Sequence, residues 1–530
     1  MEKHWWQNSV VYQIYPKSFC DTNDDGIGDI NGITAKLDYI KYLGADIIWI
    51  CPIYCSPQDD NGYDISDYYN INPEAGTMED LERLISEADK RDIKIVMDLV
   101  VNHTSDEHKW FVEAKKGKDN PYRDYYVWAN PVNGNAPNDL RSTFGGSAWE
   151  FDEASGQYYL HLFSKKQPDL NWENPHMRRD IYDMMNFWID KGIGGFRMDV
   201  IEHIGKKPLE KITANGPMLH TYLREMNAET FGRKDLLTVG ECWAADTAAA
   251  KLYCAPERHE LSMVFQFEHI SLRGNKWNPK QVKLTDLKRL MNKWQTAMHD
   301  CGRNTLFWNN HDIPRVVSTF GNDSKYRVQS AKMLAVMMYC MEGTPFIFQG
   351  EELGMTNAYF KSIDECRDIE TLNMYNERKK QGAADKDLLE KIRTGNRDNA
   401  RTPMQWDSSE NAGFTHGTPW IGINDNYPEI NAAAEMRDEN SVLNFYKKLI
   451  AMRKNNDTLL CGSFVMLCED NDDICAYDRI YEGKCVRIIC NYTDKSVHTD
   501  LDMNGTLLLS NYNSQPGNIL RPYEAAVIEF

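Results

Sequence analysis

Gly195-Phe196-Arg197-Met198-Asp199-Val200-Ile201-Glu202 is the stretch whose reading decides the fold. Phe196, Met198, Val200 and Ile201 give it the apolar texture of a short buried strand. Arg197 and Asp199 break that texture at alternate positions, and strand side chains two apart share a face. A buried guanidinium and a buried carboxylate are unfavourable unless they meet charge or solvent. A structural ion pair inside a core would satisfy them. A strand end that opens into a polar pocket fits better, and in a barrel of parallel strands that end carries the chemistry.

Outward from this stretch, short β-rich runs alternate with helical patterns. Strands are expected at residues 10–16, 46–52, 94–103, 195–201, 236–243, 263–268, 306–312 and 345–350. Helical patterns fall between them, as at residues 33–43, 78–91, 177–191 and 328–341. Eight strands alternating with helices predict an α/β fold, a (β/α)8 TIM barrel. The alternation stops between His103 and Asn171, where Gly, Asn, Pro and Trp abound. That segment is too long for a plain loop and predicts a subdomain inserted after strand 3. A second long insertion, residues 355–407, follows strand 8. After a last helix at 441–455 the pattern becomes short strands and turns. The expected organisation is a catalytic barrel at 1–103 and 171–457, an inserted subdomain at 104–170, and a C-terminal all-β sandwich domain at 458–530.

Composition excludes several classes. The 530 residues are 42% hydrophobic and 26% charged, enough to bury a large core. The net charge is −19 with no basic block, unsuited to nucleic acid or anionic membrane. The N-terminus lacks the apolar core of a signal peptide, and no apolar run reaches membrane-spanning length. The 13 Cys show no metal-type pairing, as expected of reduced thiols in a cytoplasmic protein.

Polar residues gather where the expected strands end. Strand 3 ends in Asp98, Asn102 and His103, strand 4 in Arg197 and Asp199, strand 5 in Glu241, and strand 7 in Asn309-Asn310-His311-Asp312. Strand 2 leads into Gly62-Tyr63-Asp64. Three acids at one mouth, Asp199, Glu241 and Asp312, suggest glycoside hydrolysis by paired carboxylates. Arg197 is expected to keep Asp199 ionised. Cys242 and Trp243 predict an apolar setting suited to a protonated Glu241.

These segments resemble the α-amylase clan of glycoside hydrolases. The matching stretches are Asp98-Leu-Val-Val-Asn102-His103, Gly195-Phe-Arg-Met-Asp199, Val239-Gly-Glu241, Asn310-His-Asp312 and Gln167-Pro-Asp-Leu-Asn171. The resemblance implies Asp199 as nucleophile, Glu241 as acid/base and Asp312 as the carboxylate stabilising the transition state. It implies Tyr63, Asp64, His103, Arg197, His311 and Arg401 as holders of the sugar. Arg397-Asp-Asn-Ala-Arg401-Thr-Pro-Met-Gln-Trp406, Val200, Trp243, Lys276 and Glu370 are similar to the oligo-1,6-glucosidase and dextran glucosidase branch. Cys242 departs from the Thr expected there.

Asp21-Thr-Asn23-Asp-Asp25-Gly26-Ile27-Gly-Asp29 has calcium-loop spacing, with acceptors at Asp21, Asn23, Asp25 and Asp29 and a carbonyl at Ile27. Position 12 is Gly32 and no helix precedes the loop, so it is not an EF-hand. A structural Ca2+ is the expectation, against an Asx-rich turn without metal.

The resemblance therefore implies a retaining α-glucosidase, and a monomeric, cytoplasmic protein is expected. It would act on α-1,6 bonds at the non-reducing end of isomalto-oligosaccharides or dextran. A trehalose-6-phosphate hydrolase on the same scaffold is the enzymatic alternative. A non-catalytic partner subunit of a transporter is the alternative of another class. Such a subunit needs a membrane helix and often lacks the acids that this chain keeps.

Overall fold

The computed structural model describes residues 4–530; residues 1–3, at the start of the first barrel segment, lie outside it. Eight strands form one parallel sheet: β1 (Val11–Ile14), β2 (Ile47–Ile50), β3 (Lys94–Leu99), β4 (Gly195–Met198), β5 (Leu237–Glu241), β6 (Met263–Phe265), β7 (Thr305–Leu306) and β8 (Thr344–Phe348). Their order is β6-β5-β4-β3-β2-β1-β8-β7. A parallel bridge from Val264 to Asn304 closes the ring. The expected barrel is present.

Alternation along each strand separates inside from outside. Val11, Ile47, Val96, Leu237, Val239, Met263, Phe265, Phe346 and Phe348 fill the interior as one cluster. Tyr12, Ile48, Ile95, Met97, Phe196, Met198 and Ile347 join the core between strands and helices. One step further along the inward positions the residues become polar: Gln13, Asp98, Arg197 and Glu241. The apolar layers thus end in a polar floor at the C-terminal mouth. Gly195 starts β4 with φ +149°, and a Cβ there would stand 1.8 Å from the Leu237 carbonyl oxygen.

All eight strands stop earlier than their sequence predicts, the third and seventh by the most. β3 ends at Leu99 and β7 at Leu306. Beyond those points Asn102, His103 and Asn309–Asp312 leave the ladder and turn toward the mouth.

The segment after β3 forms a three-stranded antiparallel sheet of Trp128–Ala129, Gln157–Leu160 and Trp149–Asp152, around Ala148, Trp149, Leu160 and Leu162. Isolated bridges His103↔Asp169 and Tyr126↔Leu170 return its end to its start. The segment after β8 is mostly helical, with Ile369–Lys380, Asp385–Gly395 and Asp398–Arg401.

The tail forms a five-stranded antiparallel sheet and a two-stranded ribbon. One sheet face, with Cys475, Tyr477, Val486, Ile488 and Val527, merges with the main core. The Tyr477 hydroxyl donates to the Met337 carbonyl at 3.1 Å. The other face, with Ile474, Ala476, Ile489 and Ile528, packs with Leu520 from the ribbon. Helix Arg327–Tyr339 lies beneath the sheet, which explains why Ser330–Tyr339 are buried without a polar face. No helix among the described residues is long and apolar enough to cross a membrane.

Candidate active site

Arg197, 1% exposed, organises the floor of the mouth. Its Nη1 donates to Asp98 Oδ1 at 2.8 Å and to Asp199 Oδ1 at 2.9 Å, and its Nη2 to Glu241 Oε2 at 2.6 Å. The guanidinium lies 4.9 Å from the Trp49 ring centroid. Trp49 Nε1 and the Tyr63 hydroxyl both donate to Asp98 Oδ2 at 3.0 Å. Asp98 therefore serves Arg197 from behind, while Asp199 and Glu241 face the cavity.

One cation serving three carboxylates corrects the expectation for Asp199. Burial pushes Asp199 well above the ordinary carboxylate range; Arg197 opposes this, and Glu241, Asp98 and Asp312 add to the upward push. The apolar setting expected for Glu241 is also corrected. Arg197 and the Val200 N–H (3.1 Å) donate to its Oε2, and Trp243 Nε1 donates to its Oε1 at 2.9 Å.

Val200 sits at φ 35°, ψ 42°. A β-branched residue is strained in this left-handed region, and such strain concentrates at functional sites. Here the strained turn aims the Val200 N–H at Glu241 and exposes its side chain to the cavity.

Asp312 has the opposite surroundings. His311 Nε2 lies at 3.1 Å, Arg397 Nη1 at 3.0 Å and Arg401 Nη2 at 2.8 Å. Burial alone would raise it, but these cations hold it well below the carboxylate range. Burial likewise opposes charge on His311, yet Asp312 and the other acceptor groups carry it up to about 10. His311 stacks on Tyr63 with centroids 5.2 Å apart and takes a contact of 2.8 Å from Gln13 at Nδ1. His103 differs: burial pulls it down to about 4, so it is neutral.

The structure brings most, but not all, of the sequence-predicted site residues together. Tyr63, His103, Asp199, Val200, Glu241, Trp243, Lys276, Asp312 and Glu370 line one cavity of about 470 Å3. Arg197, His311 and Arg401 are buried behind it and hold the acids. Lys276 and Glu370 form an ion pair with each other. Asp64 is a correction. Its carboxylate is turned into its own loop, accepting from Ser56 Oγ at 3.0 Å, Asp59 N at 2.8 Å and Asp60 N at 3.0 Å. Asp60 lines the cavity instead, paired with Arg397 Nη2 at 3.1 Å.

Sequence reasoning missed Arg397, although it opens the quoted Arg397–Trp406 motif. Arg397 joins Asp60, Asp312 and Asp368, the last at 2.6 Å. It also missed Phe144 and Phe163, which the inserted subdomain sends into the cavity wall. The 167–171 motif held the signal for that docking. Gln167 Nε2 lies 3.2 Å from both Asp60 Oδ2 and His103 Nε2, and Asp169 pairs with Lys206 at 3.0 Å.

Asp21, Asn23, Asp25, Ile27 and Asp29, the residues expected to hold calcium, form one loop closed on itself by backbone N–H donors. Asp21 accepts from the N–H groups of Asn23 (2.9 Å), Asp24 (2.9 Å) and Gly26 (2.8 Å), and from Thr415 Oγ1 at 2.5 Å. Asn23 Oδ1 accepts from Asp25 N at 3.0 Å, and Asp25 Oδ1 accepts from Ile27 N at 2.8 Å. Asp29 caps helix Ile30–Ala35 by accepting from Gly32 N at 2.7 Å. Among the described residues, no three His, Cys, Asp or Glu side chains gather as a metal cage.

Three carboxylates, two of them bridged by one guanidinium, at the C-terminal mouth of a (β/α)8 barrel define a glycoside hydrolase site. The family model for the α-amylase catalytic domain matches residues 13–462, and the chain belongs to the α-amylase family. It is 53% identical to an oligo-1,6-glucosidase of Parageobacillus thermoglucosidasius, covering 99% of each chain. It is 52% identical to a glucan 1,6-alpha-glucosidase of Streptococcus pneumoniae, covering 100% of each. A crystal structure of a Bacillus licheniformis trehalose-6-phosphate hydrolase superposes with TM-score 0.96 at 47% identity, covering 99% of this chain and 100% of that one.

Proposed function

We propose that this protein is an exo-acting, retaining α-glucosidase that cleaves α-1,6 bonds at the non-reducing end of isomalto-oligosaccharides or dextran and releases glucose. The observation that carries the reading is the Arg197 bridge between Asp199 and Glu241. A shared guanidinium favours the short carboxylate spacing of about 5–5.5 Å that retaining enzymes use. Asp199 attacks the anomeric carbon as Glu241 gives its proton to the leaving oxygen. Glu241 then takes a proton from water, whose oxygen displaces Asp199 and frees glucose with retained configuration. Asp312, held ionised by three cations, faces the positive charge that develops on the sugar ring.

The volume of the cavity fits a small oligosaccharide rather than a polymer groove. The Asp60–Arg397 pair walls one side, in keeping with exo action. The apolar Val200 wall and the names of the two 1,6-acting relatives support the linkage. We place the protein in the cytoplasm, because all 13 cysteines are free, including Cys475 and Cys490, which face each other on neighbouring strands. We read it as a monomer, in keeping with mutual repulsion at net charge −19.

A second reading has its own observation. Arg273 lines the cavity, and burial lowers it with no carboxylate among the described residues offsetting the loss. An unpaired guanidinium there suits a phosphorylated leaving sugar. One assay on isomaltose, maltose, panose and trehalose-6-phosphate separates the readings. Efficient glucose release from isomaltose with poor release from maltose is expected. Turnover of trehalose-6-phosphate alone would replace the first reading with the second.

A further inference from the structure

Glu202 is a buried carboxylate, 2% exposed, that no role assigned so far uses. It lies in the short turn Ile201–His203 after β4 and lines the active-site cavity. Its Oε1 accepts from Trp243 N at 3.1 Å, and its Oε2 accepts from Ala244 N at 3.0 Å. Among the described residues, no Lys, Arg or His pairs with it. The titratable groups facing it are Glu241 and Cys242 at the end of β5 and Tyr253 from helix Thr247–Cys254. The Tyr253 hydroxyl is engaged with Asn215 Oδ1 at 2.5 Å, and the Glu202 carbonyl accepts from Asn215 N at 2.9 Å.

The backbone that Glu202 grips carries the indole over the acid. Trp243 Nε1 donates to Glu241 Oε1, the oxygen that Arg197 and Val200 leave free. The indole stacks on Phe267 with centroids 3.8 Å apart, yet it is 42% exposed to the cavity side. We propose that Glu202 is a positioning residue: its carboxylate fixes the 243–244 turn, so that Trp243 holds Glu241 Oε1 in line with the leaving-group oxygen. The inference rests on Glu241 being the proton donor.

A carboxylate suits this place because both its oxygens accept. Glutamine at equal volume would set an N–H against one of the two N–H groups. Burial pushes Glu202 up to about 7, with the two N–H groups pulling back and Glu241 adding to the rise. The charged form that grips the turn is therefore present above about pH 7 and is lost as pH falls through it.

The test compares kcat/KM of wild type, Glu202→Gln and Glu202→Asp on isomaltose and on 4-nitrophenyl α-glucoside, whose nitrophenolate leaves without a proton. Glu202→Gln should lose about thirtyfold on isomaltose but less than about threefold on the nitrophenyl substrate, a fraction of what a general acid supplies. The isomaltose-to-nitrophenyl efficiency ratio of wild type should fall as pH drops through about 7. That step should vanish in Glu202→Gln and return in Glu202→Asp. Equal losses on both substrates, or the same pH step in wild type and Glu202→Gln, would overturn the assignment. Wild type that ignores isomaltose overturns the linkage reading alone. The comparison then runs on whichever of maltose or trehalose-6-phosphate is cleaved.

Discussion

The two halves of the mouth manage charge in opposite ways. On the strand side one guanidinium, Arg197, meets three carboxylates: Asp98, Asp199 and Glu241. On the loop side one carboxylate, Asp312, meets three cations: His311, Arg397 and Arg401. In the cation-poor half, burial and the neighbouring acids raise Asp199 with one guanidinium in opposition. Cation-rich surroundings fix one charge for the whole cycle. The difference divides the labour of the site between proton transfer and electrostatic stabilisation.

The largest test of this division is Asp199→Asn. It should lower kcat about 10⁴-fold or more, since a nucleophile is lost. Because it removes one acid from an overloaded guanidinium, the melting temperature should stay or rise. Full glucose release by this variant removes Asp199 from the reaction, and a large melting loss removes the overloaded-cluster picture.

Asp312→Asn should behave differently on both axes. We expect a loss of about 10²–10³ in kcat/KM, the scale of one electrostatic stabiliser. Three cations then lose their common partner, so stability should fall by roughly 3 kcal/mol by denaturant titration. A variant as stable as wild type would break the contrast.

pH sharpens the same contrast. His311 is raised to about 10 in the fold. Its contribution is fully present below its unfolded value of about 6.5 and is lost as pH rises toward 10. Asp312 is depressed, so its contribution is present above an unfolded value of about 3.9 and is lost as pH falls below it. Between about pH 6.5 and 10 the melting temperature of wild type should decline, and that of His311→Gln should decline less. Parallel curves would show that His311 carries no charge.

The smallest effect belongs to Val200→Thr. One added hydroxyl beside the nucleophile is worth roughly 0.5–1.5 kcal/mol, or about threefold to tenfold. The shift should favour maltose over isomaltose. No movement toward maltose would leave linkage choice to Trp243 and the Lys276–Glu370 pair.

The barrel and the acids were legible in the sequence because periodicity and local motif carry them. Inward positions recur every second residue, so Asp98, Arg197 and Glu241 could be assigned to one floor before any contact was known. What lies between the strands was less legible. Asp60 and Asp64 sit four apart in one loop, and no periodicity says which carboxylate faces inward. The fold decided it, because the N–H groups of Asp59 and Asp60 capture Asp64. Acceptor spacing in the Asp21–Asp29 loop describes both a cation site and a turn whose acceptors face its own N–H groups.

By itself the sequence determined the eight-strand alternation, the inserted and C-terminal segments, and the gathering of three acids where strands end. Strand period and strand-end chemistry are local properties of the chain. Only the tertiary structure decided how many charges each acid meets. Arg397 and Arg401 reach Asp312 across 85 and 89 residues of chain. Glu202 grips a turn 41 residues away. Ionisation depends on burial and on every neighbouring charge, and chain folding alone brings those neighbours together.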